Sequence, residues 1–430
     1  MASVQPFRAV RYARPRGADI TPLTAPPYDV ISAELRAELL ARDPHNVVAL
    51  ELPAGPLDPS LPGNRYETGA ATWRSWLADG TLAFDGTPAI YVLEQRYRHG
   101  SQDISRRGFI AAVGLEPFSA GVVLPHERTL PKALGDRLNL TRATAANLSQ
   151  VFGMFADPTH ATDAFIAKAM ESAPVLTATD DDNVVSTIWA LTDPADQIAL
   201  AALVADEKIF IADGHHRYTT ALAYRDEQRA AGAPADSASQ TVMMALVNMD
   251  DPGLVVYPTH RIVDAPGHFE AASFFAALAP HFEVTDLAPG HPSAALASCA
   301  DRPTFIVAAR GGVTKLVRLR DDVDHSDAFP ASSSAAWRAL DVAVLQELIL
   351  SPVLDVHPDR PETLDRLSFS KDAHTAMKST ADHDVVFILN PTQMVQVAAV
   401  ALAGETMPQK STYFYPKLLS GLLFKSLERT

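Results

Sequence analysis

Strand-like apolar runs alternate with helically spaced stretches along nearly the whole chain. That alternation restricts it to the α/β or α+β classes, in which helices flank mixed sheets. "NVVALELP", "AIYVLEQRYR" and "RRGFIAAVGLEP" have strand character. "SAELRAELLARDP" has helical spacing that opens after Ser32, a residue suited to accept from the first free N–H groups, and should stop before Pro44. "ETGAATWRSWLADG" reads as a helix ended by Gly80, and the alternation continues through "DAFIAKAMESA", "TVMMALVNMD", "SFFAALAPHF", "PTFIVAAR", "DVAVLQELIL" and "DVVFILNP". "AAGAPADSASQ" and "DDVDHSDAFPASSSAAW" are turn-rich and expected as exposed loops. With 430 residues, 47% of them hydrophobic, the chain can bury a large core, and length suggests two or three domains. The expected division is an N-terminal α/β region at 1–120, a region carrying the polar motifs at 121–265, and a C-terminal α/β region at 266–430.

Several function classes are disfavoured. The longest apolar runs, such as "VVALEL" and "MVQVAAVALA", are short for a membrane span, and "MASVQPFRAVRYARPRG" lacks a signal-peptide core, so a cytoplasmic protein with no membrane partner is expected. Cys299 is the sole cysteine, which rules out an internal disulfide and a thiolate metal cluster. A net charge of −15 repels a phosphate backbone and argues against a nucleic-acid partner. Oligomeric state stays open.

The stretch "KIFIADGHHRYTTALAYRDE" concentrates chemistry. Ile209, Phe210 and Ile211 suit a buried strand, Asp213-Gly214 makes a turn, and Thr219 to Gln228 are helix formers, so the polar block sits at a strand-to-helix junction. At such a junction the first helical N–H groups point outward with the positive end of the dipole and can bind phosphate. Gly214 would let a ligand approach the backbone, and Arg217 could hold phosphate oxygens through parallel hydrogen bonds. His215 and His216 could donate or shuttle a proton, while Asp213 could bind Mg²⁺ or position a hydroxyl. The plainer alternative is that Asp213 caps the helix and the histidines are satisfied polar side chains; a cap accounts for one residue and not for the cluster.

A second block, "LPHERTLPKALGDRLNLTRATAANLSQ", supplies Glu127 as a candidate general base, with Lys132 and Arg137 able to neutralise a transferring phosphoryl group. In the folded chain Glu127 and Lys132 are expected to line the same pocket as Asp213 and His216. "GETMPQKST" departs from a phosphate loop, since Gln409 stands where the second glycine belongs and Pro408 removes an N–H. It is expected to lead into a short amphipathic helix, "KLLSGLLFKSL", with lysines that could face the site. No pair among His126, His215, His216 and His260 has the i, i+4 spacing of a helical zinc site, and no G-x-S-x-G elbow occurs.

Over almost its full length the chain resembles the bacterial domain-of-unknown-function 1015 family, through "PPYDVIS", "DPHNVVALELP", "HERTLPKALGDRLNLTRATAANLS", "IADGHHRYTTAL", "MDDPGLVVYPTHR", "LDVAVLQELIL" and "GETMPQKSTYFYPKLLSGLLF". The "DGHHRYTTAL" element is also similar to the phosphate-contacting strand-turn-helix of the ParB and sulfiredoxin-like superfamily, whose free serine kinases carry an Asp-Gly-His-His-Arg turn. That resemblance implies Mg²⁺-dependent transfer of a phosphoryl group from ADP or ATP to a small hydroxylated metabolite, with serine the first candidate. Asp213, His215, His216 and Arg217 would contact phosphate, metal or the acceptor hydroxyl. A phosphatase acting on a small phosphometabolite such as phosphoserine is the alternative, and a non-enzymatic nucleotide-binding protein the second.

Overall fold

A computed structural model describes residues 1–127, 131–287 and 292–428. It has a mixed α/β architecture and divides into two units: Met1–Pro125, Thr129–Val255 and Pro416–Thr430 form the first, His126–Arg128 and Val256–Tyr415 the second.

The first unit is built on a mixed sheet, ten-stranded among the described residues. Its long hairpin, Ile90–His99 with Gln102–Gly114, is antiparallel, with Tyr91 opposite Ile110. Thr241–Asn248 runs antiparallel to the second arm of the hairpin and parallel to Val151–Phe155. Next lies Ile209–Asp213, antiparallel to Val151–Phe155 and parallel to Val123–Leu124. Helices Asp163–Met170, Pro194–Val204 and His215–Ala230 pack Ile166, Leu200 and Tyr218 into the same core as Val92, Phe109, Ile211 and Met244. Strands buried in this way lose their alternation, which is why "IFIA" reads as an unbroken apolar run.

Local signals set several boundaries. Helix Ala33–Arg42 begins after Ser32, whose hydroxyl accepts from the Leu35 N–H at 3.2 Å, and helix Arg65–Ala78 begins after Asn64, whose side chain accepts from Tyr66 and Glu67. Two expectations are corrected. "NVVALELP" is not a strand: Val48–Glu51 is a helical turn. Asn46 bends the chain there, accepting from the Val48 N–H at 3.0 Å and donating to the carbonyls of Pro22 and Thr24. "KLLSGLLFKSL" is not a helix but a buried extended strap. Val10 and Phe424 exchange backbone hydrogen bonds at 2.9 and 2.8 Å, and Lys425–Ser426 pairs with Ala146–Asn147. Gly421, at φ +91°, turns the strap where a Cβ would lie 3.0 Å from that of Val47. Pairing and burial along the strap outweigh the helical preference of its leucines.

The second unit has an antiparallel sheet, six-stranded among the described residues, in the order Phe282–Asp286, Val313–Leu319, Thr304–Ala309, Val385–Ile388, His260–Val263 and Leu367–Ser370. Phe305, Val307 and Ala309 face one core, Ile306 and Ala308 the other, the two-residue period of a strand covered on both faces. Among the described residues no helix is long and apolar enough to cross a membrane.

Candidate functional site

The strand Ile209–Asp213 ends in a register shift between Ile211 and Asp213, and a bulge of this kind re-aims the last side chain of a strand. Gly214 follows at φ +88°, a conformation that suits only glycine, and helix His215–Ala230 starts at once. The helix therefore begins four residues earlier than Thr219, and His215, His216 and Arg217 form its first turn. The first intrahelical bond runs from the Tyr218 N–H to the Gly214 carbonyl at 3.0 Å.

Asp213 does not cap this helix. Its Oδ2 accepts from Arg217 Nη2 and its Oδ1 from Lys417 Nζ, both at 2.7 Å. Burial pushes the carboxyl up, but Lys417 and Arg217, helped by His215, outweigh it and hold Asp213 well below the usual carboxylate range. A carboxylate with a cation on each oxygen does not fit as a ligand for Mg²⁺. Among the described residues no group of three His, Cys, Asp or Glu side chains is arranged to hold a metal ion. Gly214 also makes room for the guanidinium: a Cβ there would lie 2.9 Å from Arg217 Nε. Arg217 Nη1 donates to the Gln150 carbonyl, leaving the buried Nε as the nitrogen with no partner among the described residues. Nη1 and Nη2 each keep a second hydrogen beside the Nε–H.

Arg217 lines a cleft of about 40 Å³ together with Glu51, Arg137, Thr141, Ser149 and Thr220. By the room one water needs, such a volume takes roughly three waters or one phosphate-sized group. Arg137, buried, donates from Nη1 to the Glu51 carbonyl at 2.9 Å and to Glu51 Oε2 at 3.3 Å, and from Nε and Nη2 to Asp136 at 3.0 and 2.6 Å. Its guanidinium lies 4.3 Å from the centre of the Tyr28 ring, in "PPYDVIS". Burial pushes the Tyr28 hydroxyl up to about 12 against the opposing pull of Arg137 and Arg217. Glu51, 3% exposed, has no partner for Oε1 among the described residues, and neither has Thr220 Oγ1. Leaving a buried polar atom unpaired costs about 1–3 kcal/mol, so each such atom calls for a water or a ligand group as its partner.

Arg137 of one polar block and Arg217 of the other line this cleft, whose lining does not include Asp213 or His216. His215 is buried and His216 half-buried in the helix's first turn. Glu127 belongs to the second unit, where Oε1 accepts from the Ser411 N–H at 3.2 Å beside the buried His126, itself 3.0 Å from Thr412 Oγ1. Lys132 lies in the first turn of helix Pro131–Thr144, and its side chain lies outside the described residues. Sequence reasoning did not single out Glu51, and it offered Lys417 only among the lysines of "KLLSGLLFKSL" that could face the site. Each interrupts an otherwise apolar run, and a charge that has to be buried has to be paired. Lys417 is delivered by the strap, which is fastened by Gln95 Nε2 to the Lys417 carbonyl at 3.1 Å and by Arg106 Nη2 to the Pro416 carbonyl at 2.6 Å.

Comparison with solved structures finds distant similarity. A free serine kinase in complex with AMP is 13% identical, covering 68% of this chain and 83% of that one at a TM-score of 0.35; a mutant of a free serine kinase in complex with ADP is 12% identical, with 68% and 84% covered at 0.36. SbnI with a C-terminal truncation, from Staphylococcus aureus, is 12% identical over 72% of this chain and 85% of that one, at 0.35. No curated protein matches the chain. The family model described as "Protein of unknown function (DUF1015)" matches residues 4–343, most of the chain including the Asp213 turn and the residues of the cleft, and the protein belongs to that family.

Proposed function

We propose that the protein is a phosphoryl-transfer enzyme that holds a phosphate group in the Glu51–Arg137–Arg217 cleft and moves a phosphoryl group from ADP or ATP to a small hydroxylated metabolite. Free serine is the first candidate, from the resemblance of the Asp213–Arg217 turn to that of free serine kinases. The observation that carries the reading is a phosphate-sized cleft lined by Arg137 and by Arg217, a first-turn residue of its helix whose buried Nε has no partner among the described residues. Preset N–H donors and the positive end of a helix stabilise charge that grows on a phosphoryl group without having to reorganise. Asp213 is then a positioning residue that fixes Arg217 and Lys417, and His216, half-buried on the same turn, moves the acceptor's proton. Hydrolysis of a phosphometabolite is the second reading, favoured by one observation: the cleft volume is on the scale of a single phosphate group.

One assay separates the readings. With serine and ADP or ATP, phosphoserine forming only when nucleotide is present supports the kinase. Rapid release of phosphate from phosphoserine without nucleotide would replace it with the phosphatase. Nucleotide binding with neither reaction would leave a binding protein.

A further inference from the structure

Three polar atoms of residues lining the cleft have no hydrogen-bond partner among the described residues: Arg217 Nε, Thr220 Oγ1 and Glu51 Oε1. Their chemistry is not uniform. The guanidinium and the hydroxyl can donate, whereas the carboxylate oxygen only accepts. Glu51 is held in place, because its Oε2 accepts from Arg137 Nη1 at 3.3 Å and its carbonyl from the same nitrogen at 2.9 Å. An oxyanion seated here can take hydrogen bonds from Arg217 and Thr220, but any oxygen turned towards Glu51 must bear a hydrogen. Sulfate has none at neutral pH and presents a bare oxygen to a buried carboxylate. Inorganic phosphate keeps at least one P–O–H and can donate it.

Resting on the reading of this cleft as a phosphate site, we propose that it selects protonated phosphate over sulfate, with Glu51 as the residue that reads the proton. The two donors then take two bare oxygens of hydrogen phosphate and the acceptor takes its P–O–H, and Arg137 balances the Glu51 charge so that the anion is not expelled. A carboxylate in an anion site otherwise only repels; its use here is discrimination between oxyanions of equal size and shape.

Calorimetric titration of the full chain with inorganic phosphate and with sulfate, at pH 7 and matched ionic strength, tests the proposal. Phosphate is expected to bind at least about tenfold more tightly, the scale of one hydrogen bond to a charged group. In Glu51→Gln the amide can donate to a bare oxygen, so the ratio is expected to fall to within about threefold through a gain in sulfate affinity. Arsenate, which also keeps a proton at neutral pH, supplies a measurement that needs no variant and should behave as phosphate does. Equal wild-type affinities for phosphate and sulfate, or arsenate ranking with sulfate, would overturn the selection while leaving an anion site in place. Binding of no anion at all would remove the phosphate site itself, and the proposed function with it.

Discussion

Asp213, clamped at 2.7 Å by Arg217 on one oxygen and by Lys417 on the other, ties together groups 204 positions apart in the chain. Because its folded pKa lies below the unfolded value, its contribution to stability is complete above about pH 4 and is lost as pH falls through the folded value. Asp213→Asn is therefore expected to cost about 2–3 kcal/mol at pH 7, somewhat less than a fully buried pair because 24% of the side chain stays exposed. Urea unfolding from pH 7 to pH 2 should show the gap to wild type closing below about pH 4. A gap that stays constant to pH 2 would mean that the two cations do not depress this carboxyl. Arg217 makes a sharper test of binding. Arg217→Lys keeps a charge near Asp213 but loses the planar fork of a residue that lines the cleft. The thermal stabilisation that ADP or inorganic phosphate confers on wild type should disappear in Arg217→Lys, although the variant stays folded. An undiminished shift would place the anion elsewhere.

The strand-turn-helix element works because its glycine allows two things together, a left-handed turn and a guanidinium folded across it. Gly214→Ala is expected to cost about 1–2 kcal/mol through backbone strain and also to weaken phosphate binding, since the new Cβ would meet Arg217 Nε at 2.9 Å. Gly404, at φ +74° with open space around it, is the control: Gly404→Ala should cost a similar amount of stability with no effect on binding. The strap is the second decisive element. Phe424, fully buried, meets Tyr12 and Trp73 edge-on with ring centres 5.9 and 5.6 Å away. Phe424→Ala should lower stability by about 3–5 kcal/mol, read by denaturant unfolding. A cost under about 1 kcal/mol would mean that the strap is only loosely seated on the rest of the first unit.

At the scale of the whole chain, a net charge of −15 coexists with a local gathering of Arg106, Arg137, Arg217 and Lys417 in the first unit. Overall charge governs solubility and long-range encounter, while the site is governed by the groups within a few ångströms. The two units have separate cores, and all the residues lining the cleft belong to the first. Hydrogen exchange with saturating phosphate should accordingly slow in Ile209–Asp213 and the first turns of His215–Ala230. Thr304–Ala309 and Val385–Ile388 of the second unit should be unaffected. Protection confined to the second unit would move the ligand there.

How much of this is legible in the amino-acid sequence differs from segment to segment. Ser32 as an N-cap, the strand character of "AIYVLEQRYR" and the strand-turn-helix at Asp213 are local properties, written in capping chemistry and in runs of apolar residues. They fix the mixed α/β class and single out the polar turn at Asp213–Arg217, because neighbours in sequence are there neighbours in space. "NVVALELP" and "KLLSGLLFKSL" mislead for one shared reason: segments buried on every side carry no periodicity, and their conformation follows the groups they pack against, Asn46 in one case and the Val10 edge in the other. The partners of the site are equally hidden. Nothing near Asp213 in sequence announces Lys417, and nothing near Arg217 announces Glu51, since a buried charge takes its partner from whichever distant segment the fold brings within hydrogen-bonding reach. Residue order settles which groups exist and which local turns they favour, whereas the balance of charges around Asp213 and in the cleft comes into being only when the sheet and the strap close around them.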